Sequence, residues 1–245
     1  MRLSGATVLI TGASSGVGAA TARTVARTGA RLVLTGRDRT RLERVAAETG
    51  GVAVACDLVT DAHLLAERAG PVDVLINNAG VGWAGPFARM PHDALDRLVG
   101  VNLTAPIRLT RLLVPGMVES GRGHIVFVAS IAGMVGVSHE AVYSATKAGL
   151  VVFAEALRHE LRGSPGIGVS VVLPGVVDTP FFDRRGAPYD RRRPSPIPPE
   201  RVARAIVAAI RHERAESYVP GWLRVPARLR GAAPGPFRRL VRRFG

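Results

Sequence analysis

The chain is 245 residues long, 47% hydrophobic and 21% charged, with a formal net charge of +14, a size and apolar content that suit one domain with a large core. A single cysteine, Cys56, excludes an intrachain disulfide and a cysteine-built zinc cluster, and the six histidines show no ligand spacing, so no metal site is expected. The longest apolar stretch, 125–137, is broken by Ser130 and two glycines and falls short of the ~20 residues that span a bilayer; with an N-terminal apolar run too short for a signal peptide, a soluble, cytoplasmic protein is expected.

In chain order, short apolar runs alternate with helical patterns. Residues 6–10 read as a strand, followed by a Gly-rich turn and a helix over 17–28. A strand at 31–35, a helix at 39–49 and strands at 52–56 and 72–76 come next. Helices are predicted at 92–102 and 104–120, a strongly apolar strand at 123–129, a long helix at 141–162 and a strand at 168–173. Residues 184–199, rich in Arg and Pro, read as a mobile loop, ahead of a helix at 199–212 and a short strand at 217–220. Strands this apolar are covered on both faces, as in parallel sheets. The alternation predicts an α/β fold, a single doubly wound domain with a mostly parallel seven-stranded sheet flanked by helices. That domain is assigned to 1–222, with a substrate loop at about 181–199 and a basic tail at 223–245.

The turn Thr11-Gly12-Ala13-Ser14-Ser15-Gly16-Val17-Gly18 follows the first strand and opens the first helix. Its glycines permit a tight turn and close approach, and the helix N-terminus offers free N–H groups to a pyrophosphate. Gly12, Ser14, Ser15, Gly16, Val17 and Gly18 are therefore candidate dinucleotide contacts. The second strand ends in Gly36-Arg37, where a carboxylate is usual for a ribose 2′-hydroxyl and an arginine suits a 2′-phosphate. Arg37 thus predicts NADP(H) over NAD(H), unless it is one more solvated surface arginine.

Lys147 is the only lysine among 33 basic residues, and it stands four places after Tyr143. On a helix the two share a face, and a nearby ammonium favours phenolate, lowering the tyrosine pKa from its usual ~10. Tyr143 is then a candidate proton donor or acceptor. Codon bias that spared one lysine is the competing explanation.

These motifs resemble the short-chain dehydrogenase/reductase family: Thr11-Gly12-x-x-x-Gly16-x-Gly18, Asp57 with Leu58 after the third strand, Asn77-Asn78-Ala79-Gly80 after the fourth, then Asn102, Ser130, Tyr143-x-x-x-Lys147, and Pro174-Gly175 with Thr179 after the sixth. The resemblance covers residues 1–180 and implies a homo-oligomeric NAD(P)-dependent oxidoreductase with a Rossmann fold and a catalytic tetrad of Asn102, Ser130, Tyr143 and Lys147. It also implies that Asn102 holds a water linking Lys147 to solvent. Ser130, at the C-terminal end of a central strand, can donate to a substrate carbonyl as charge develops on its oxygen. Asp57 is a candidate for the adenine amine. Asn78, Ala79 and Gly80 are expected on the adenosine side with Asn77 structural, and Thr179 with the peptide after Pro174-Gly175 at the carboxamide. His139, Trp83 and Met134 are candidates for the pocket wall.

The last quarter departs from the family. Residues 184–245 hold 16 arginines against Asp190, Glu200, Glu213 and Glu216, whereas 1–183 carry a net charge of only +2. A homodimer through the helices near 104–120 and 141–162 is expected, with a tetramer as the alternative. Within the tail, 237–244 places apolar and basic residues at helical intervals, a pattern that suits an anionic membrane surface or an acidic partner through 224–245. With 5% aromatic residues overall, stacking on nucleic acid is not expected. The reading is an NADP(H)-dependent oxidoreductase acting on a small carbonyl or secondary alcohol, with Tyr143 as general acid/base. The alternative is a non-catalytic dinucleotide sensor acting through its basic tail. Arg184, Arg185, Arg191, Arg192 and Arg193 hint at an anionic substrate, Phe181 and Phe182 at an apolar one.

Overall fold

The computed structural model describes residues 1–189, 194–237 and 239. The elements run β1 (Thr7–Thr11), α1 (Gly16–Ala26), β2 (Arg31–Gly36), α2 (Arg39–Thr49), β3 (Val52–Ala55), α3 (Ala62–Ala69) and β4 (Val74–Asn77). Then come α4 (His92–Val99), α5 (Ala105–Glu119), β5 (Gly123–Val128), α6 (Ile131–Val135), α7 (Ala141–Glu160) and β6 (Ile167–Pro174). Last are α8 (Phe181–Arg184), α9 (Pro199–Arg211), β7 (Glu216–Val219) and α10 (Arg224–Ala232). The strands form one seven-stranded sheet in the order β3-β2-β1-β4-β5-β6-β7, and each pairing is parallel. The chain runs outward from β1 to β3, then returns to place β4 on the other side of β1. Ligands of such sheets bind beyond the strand C-termini at this reversal.

Side chains alternate across the sheet, so each strand feeds two cores. Val8 and Ile10 of β1 join Leu32, Leu34, Ile76 and Val126 under α1, α2 and α9, through Val25, Leu42, Ile206 and Ile210. Leu9, between them in sequence, faces the opposite core with Leu75, Ile125, Phe127 and Val171, covered by Leu109 and Met117 of α5 and Leu150 and Ala154 of α7. Apolar cover on both faces is why these strands are continuously hydrophobic.

Three short helices are additional to the sequence reading: α8 within the expected loop at 181–199, and α3 and α6 elsewhere. α3 has eight residues and a single fully buried leucine, Leu65; α6 has five and continues the apolar run of β5, where periodicity cannot separate strand from helix. The two helices expected at 92–102 and 104–120 are joined by a π-helical turn, Gly100–Thr104, which carries Asn102. From 223 onward, where the sequence suggests no element, α10 follows directly and packs against α6. Arg191, Arg192, Arg193, and within 237–244 all but Phe237 and Arg239, lie outside the described residues. Among the described residues no helix is long and apolar enough to cross a membrane, and no cluster of His, Cys, Asp or Glu suits a metal ion.

Candidate active site

The turn between β1 and α1 is fastened to the end of β4. Thr11 Oγ1 accepts from the N–H groups of Asn78 and Ala79 at 2.9 and 3.0 Å, and Asn78 Nδ2 donates to the Thr11 carbonyl at 2.8 Å. Gly12 and Gly16 have φ of +66° and +53°, a region that side-chain-bearing residues enter at a cost. A Cβ on Gly18 would stand 2.1 Å from the Gly12 carbonyl oxygen, so only glycine lets α1 begin this close to the turn. Ser15, the N-cap of α1, gives no side-chain bond to the first-turn N–H groups; its hydroxyl instead accepts from Arg184 Nη1 at 3.3 Å. The first turn thus keeps its donors for an anion, and the residues present fit a dinucleotide pyrophosphate.

A continuous crevice of about 1590 Å³ runs from this turn across the C-terminal ends of the strands. It is lined by Gly12, Ser14, Ser15, Gly16, Val17 and Gly18, then by Arg37, Asp57 and Leu58. Farther along it come Asn78, Ala79, Gly80, Ser130, Tyr143, Lys147, Pro174, Gly175 and Thr179. At the β2 end the Asp38 carboxylate is engaged by Arg41, which donates its N–H at 3.0 Å and pairs through Nε at 3.2 Å. Arg37 and Arg41 therefore face the crevice beside an acid that is already occupied. Asp57 accepts from the Val59 N–H at 3.0 Å and lies 3.6 Å from Arg97.

Ser130 sits just past β5, Tyr143 and Lys147 one turn apart on α7. Ser130 Oγ accepts from the Ala132 N–H at 3.1 Å, and Ser130 and Tyr143 line the same stretch of the crevice. Lys147 Nζ donates to the Val128 carbonyl at 3.0 Å and lies 5.8 Å from the Tyr143 ring centroid. Burial dominates both ionisations: it pushes the phenol up to about 12, against a smaller lowering by Ser130, and it brings the ammonium down to about 8. The expectation that Lys147 makes the phenol more acidic is not met in this chain alone. Desolvation of the buried phenolate is the dominant cause. A phenol of this kind stays protonated at neutral pH and can donate its proton.

Asn102 is fully buried, outside the crevice lining. Its Oδ1 accepts from the Val81 N–H at 2.8 Å, and its Nδ2 donates to the Val81 carbonyl and to Thr146 Oγ1 at 2.9 and 3.3 Å. A Cβ on Gly80 would stand 3.4 Å from Lys147 Nζ and 3.5 Å from Asn102 Oδ1, so these three are neighbours. Asn77 donates to Thr110 Oγ1 at 3.2 Å, a structural bond. Asn78 lines the crevice while its amide is spent on the glycine turn, so its side chain holds the cradle together. Trp83 and His139 border a smaller cavity of about 210 Å³ against Tyr143. Met134 borders neither cavity; it packs on the core, and its carbonyl accepts from Arg230.

Two features escape sequence reasoning. Arg41 joins the crevice because α2 begins one residue after Asp38, a relation visible only once the helix start is fixed. Glu140 forms a largely buried ion pair with Arg185 across 45 residues. Within the expected substrate loop, Phe181 brings its ring to 5.5 Å from Tyr143, which places α8 over the reactive end of the crevice.

The sheet order and the glycine cradle define a Rossmann-fold, dinucleotide-binding protein. A family described as short chain dehydrogenase matches residues 6–190. A ketoacyl reductase, HetN, from Nostoc is 39% identical over 233 residues, covering 89% of this chain and 79% of its own length. Among solved structures, a short-chain dehydrogenase from Sphingobium yanoikuyae in complex with NADPH is 32% identical with a TM-score of 0.82, covering 96% of this chain and 94% of its own. A short chain dehydrogenase/reductase from Burkholderia phymatum in complex with NAD is 27% identical with a TM-score of 0.86, covering 95% of both chains. The chain belongs to the short-chain dehydrogenase/reductase family of oxidoreductases.

Proposed function

We propose that this chain is an NADP(H)-dependent carbonyl reductase, able to run in reverse as an alcohol dehydrogenase, with Tyr143 as its general acid/base. The observation that carries the reading is that Ser130, Tyr143 and Lys147 line the same crevice as the glycine turn. The nicotinamide supplies or takes the hydride. Ser130 donates to the carbonyl oxygen and steadies its developing charge. Tyr143 delivers the proton to that oxygen, and removes it in the alcohol direction. Lys147 holds its ammonium by Val128, within reach of a ribose in the crevice, and Asn102 fixes the Val81 main chain opposite it. The preference for NADP(H) is supported by Arg37 and Arg41 at the end of β2, where the one nearby acid, Asp38, is engaged.

The substrate we favour is an apolar ketone. Two loop arginines that hinted at an anionic substrate border the crevice but are already engaged, Arg184 with Ser15 and Arg185 with Glu140. The cavity against Tyr143 is walled by Trp83, Phe87, Met90, Leu98 and Val142. The name of the Nostoc relative, a ketoacyl reductase, is consistent with a carbonyl flanked by an alkyl chain. NADPH oxidation across a panel of ketones of increasing apolar length tests this. No turnover with any member, alongside intact NADPH binding, would favour a non-catalytic sensor. For assembly we favour a homodimer through α5 and α7, supported by Val118 and Val152, which are 40% and 69% exposed on those helices.

A further inference from the structure

Helix α10 has two apolar faces. One is packed inward: Leu223, just before it, and Ala227 are buried. Leu223 Cδ1 lies under Gly175, where a Cβ would meet it at 2.9 Å, and Arg230 Nη1 donates to the Met134 carbonyl at 2.6 Å. The other face points away from the protein. Trp222 is 54% exposed, Val225 67% and Leu229 40%. At about 100° per residue, Val225 and Leu229 lie one turn apart, on the side opposite Ala227. Exposed Arg224 and Arg228 flank them.

Burial against the body accounts for Ala227 but not for three large apolar side chains left in water, and such patches mark contact sites. The charge of the segment says what covers this one. Residues 217–245 contain seven arginines and no Asp, Glu or Lys. A second copy docked face to face would bring Arg224 and Arg228 against their own counterparts, with no acid on the segment to offset them. An anionic lipid surface suits both features. It accepts apolar side chains at the headgroup boundary without needing a shaped pocket, tryptophan is favoured at that depth, and nearby arginines add electrostatic attraction. We propose that α10 docks on an anionic membrane surface, with Trp222, Val225 and Leu229 entering the headgroup boundary and Arg224 and Arg228 meeting lipid phosphates.

The test is flotation of the full chain with phosphatidylcholine vesicles, with and without phosphatidylglycerol. The comparison proteins are Trp222→Ala/Val225→Ser/Leu229→Ser and, separately, Arg228→Glu. None of these residues lines the crevice, so NADPH binding and the melting temperature check that each variant is folded. The expected result is flotation of the parent chain with phosphatidylglycerol alone, weakened by high salt. The triple variant should lose at least about tenfold in partition, and Arg228→Glu several-fold. The proposal is overturned if the parent stays unbound, or if both variants float as well as the parent. It is equally overturned if the triple variant turns a dimer into a monomer, or if the parent binds poly-glutamate and ignores vesicles, which would assign the face to a second copy or to an acidic protein.

Discussion

Lys147 Nζ lies 5.8 Å from the centroid of the Tyr143 ring and donates to the Val128 carbonyl at 3.0 Å. The ammonium is therefore held by the backbone, while the phenol lies in the crevice with Ser130. This division of labour separates the two residues experimentally. Tyr143→Phe removes only the proton that the proposed reaction needs. It should lower kcat for ketone reduction by about 10²–10⁴-fold while NADPH affinity, read by fluorescence titration, changes little. Undiminished turnover would sink the assignment. Lys147→Met should instead weaken NADPH binding as well as turnover.

The burial of Lys147 also predicts a pH-dependent stability. Its pKa is about 8 in the folded chain against 10.5 ordinarily, so between these values the unfolded chain holds more protons than the folded one. Stability from this group rises with pH across that window, is full above the ordinary value, and is lost as pH falls through 8. Tyr143 acts in the opposite sense. At about 12 when folded against 10 ordinarily, it is the folded chain that keeps the proton, and stability falls as pH rises from 10 to 12. Urea midpoints measured from pH 7.5 to 10 should therefore climb for the parent relative to Lys147→Met, which cannot titrate at this position. Parallel curves for the two proteins would refute the assignment.

Much of this site is legible in the sequence because its parts are local. The glycine turn, Arg37 and the Tyr143–Lys147 pair are each contained in one turn or one helix, and strand–helix alternation fixes which end of the sheet they share. What is not legible is long-range. Asn102 reads as a catalytic amide, yet its side chain is consumed by Val81 and Thr146, 21 and 44 residues away. Asn77 reads as structural and Asn78 as an adenosine-side contact, and only the register of β4 against β1 shows that the Asn78 amide is spent on the turn. The phenol's ionisation depends on total burial, which spacing cannot convey. Arg184 and Arg185 are adjacent in sequence but take partners on different segments, Ser15 and Glu140, because consecutive helical positions point about 100° apart.

Arg37 tests the cofactor preference. Bidentate guanidinium–phosphate pairing is the stronger kind of charge-assisted bond, and such bonds contribute about 1.5–3 kcal/mol. Arg37→Ala should raise the Michaelis constant for NADPH by about ten- to hundredfold and leave that for NADH nearly unchanged; Arg37→Ala/Arg41→Ala should erase the preference. An unchanged NADPH constant in the double variant would leave NADP(H) selectivity without its proposed cause.

Glu140 and Arg185 tie the segment after α8 to the start of α7, and both side chains are nearly enclosed, 12% and 10% exposed. Arg185 also stacks on Phe182, its carbonyl accepts from the Ala84 N–H at 3.1 Å, and its neighbour Phe181 touches the Tyr143 ring. An ion pair this enclosed is strengthened by its low-dielectric surroundings, so removing the carboxylate loosens the cover over the reactive end more than an exposed pair would. Glu140→Ala should raise the ketone Michaelis constant about tenfold or more, since 1.4 kcal/mol is a factor of ten, and should quicken proteolysis within 181–189. NADPH affinity should hold, because the glycine turn and Arg37 lie at the far end of the crevice. Glu140→Gln, which keeps the hydrogen bond and removes the charge, should fall between the two. If all three proteins share one ketone constant and one proteolysis rate, the pair is a passive packing contact and the cover over Tyr143 is held by its aromatic contacts alone.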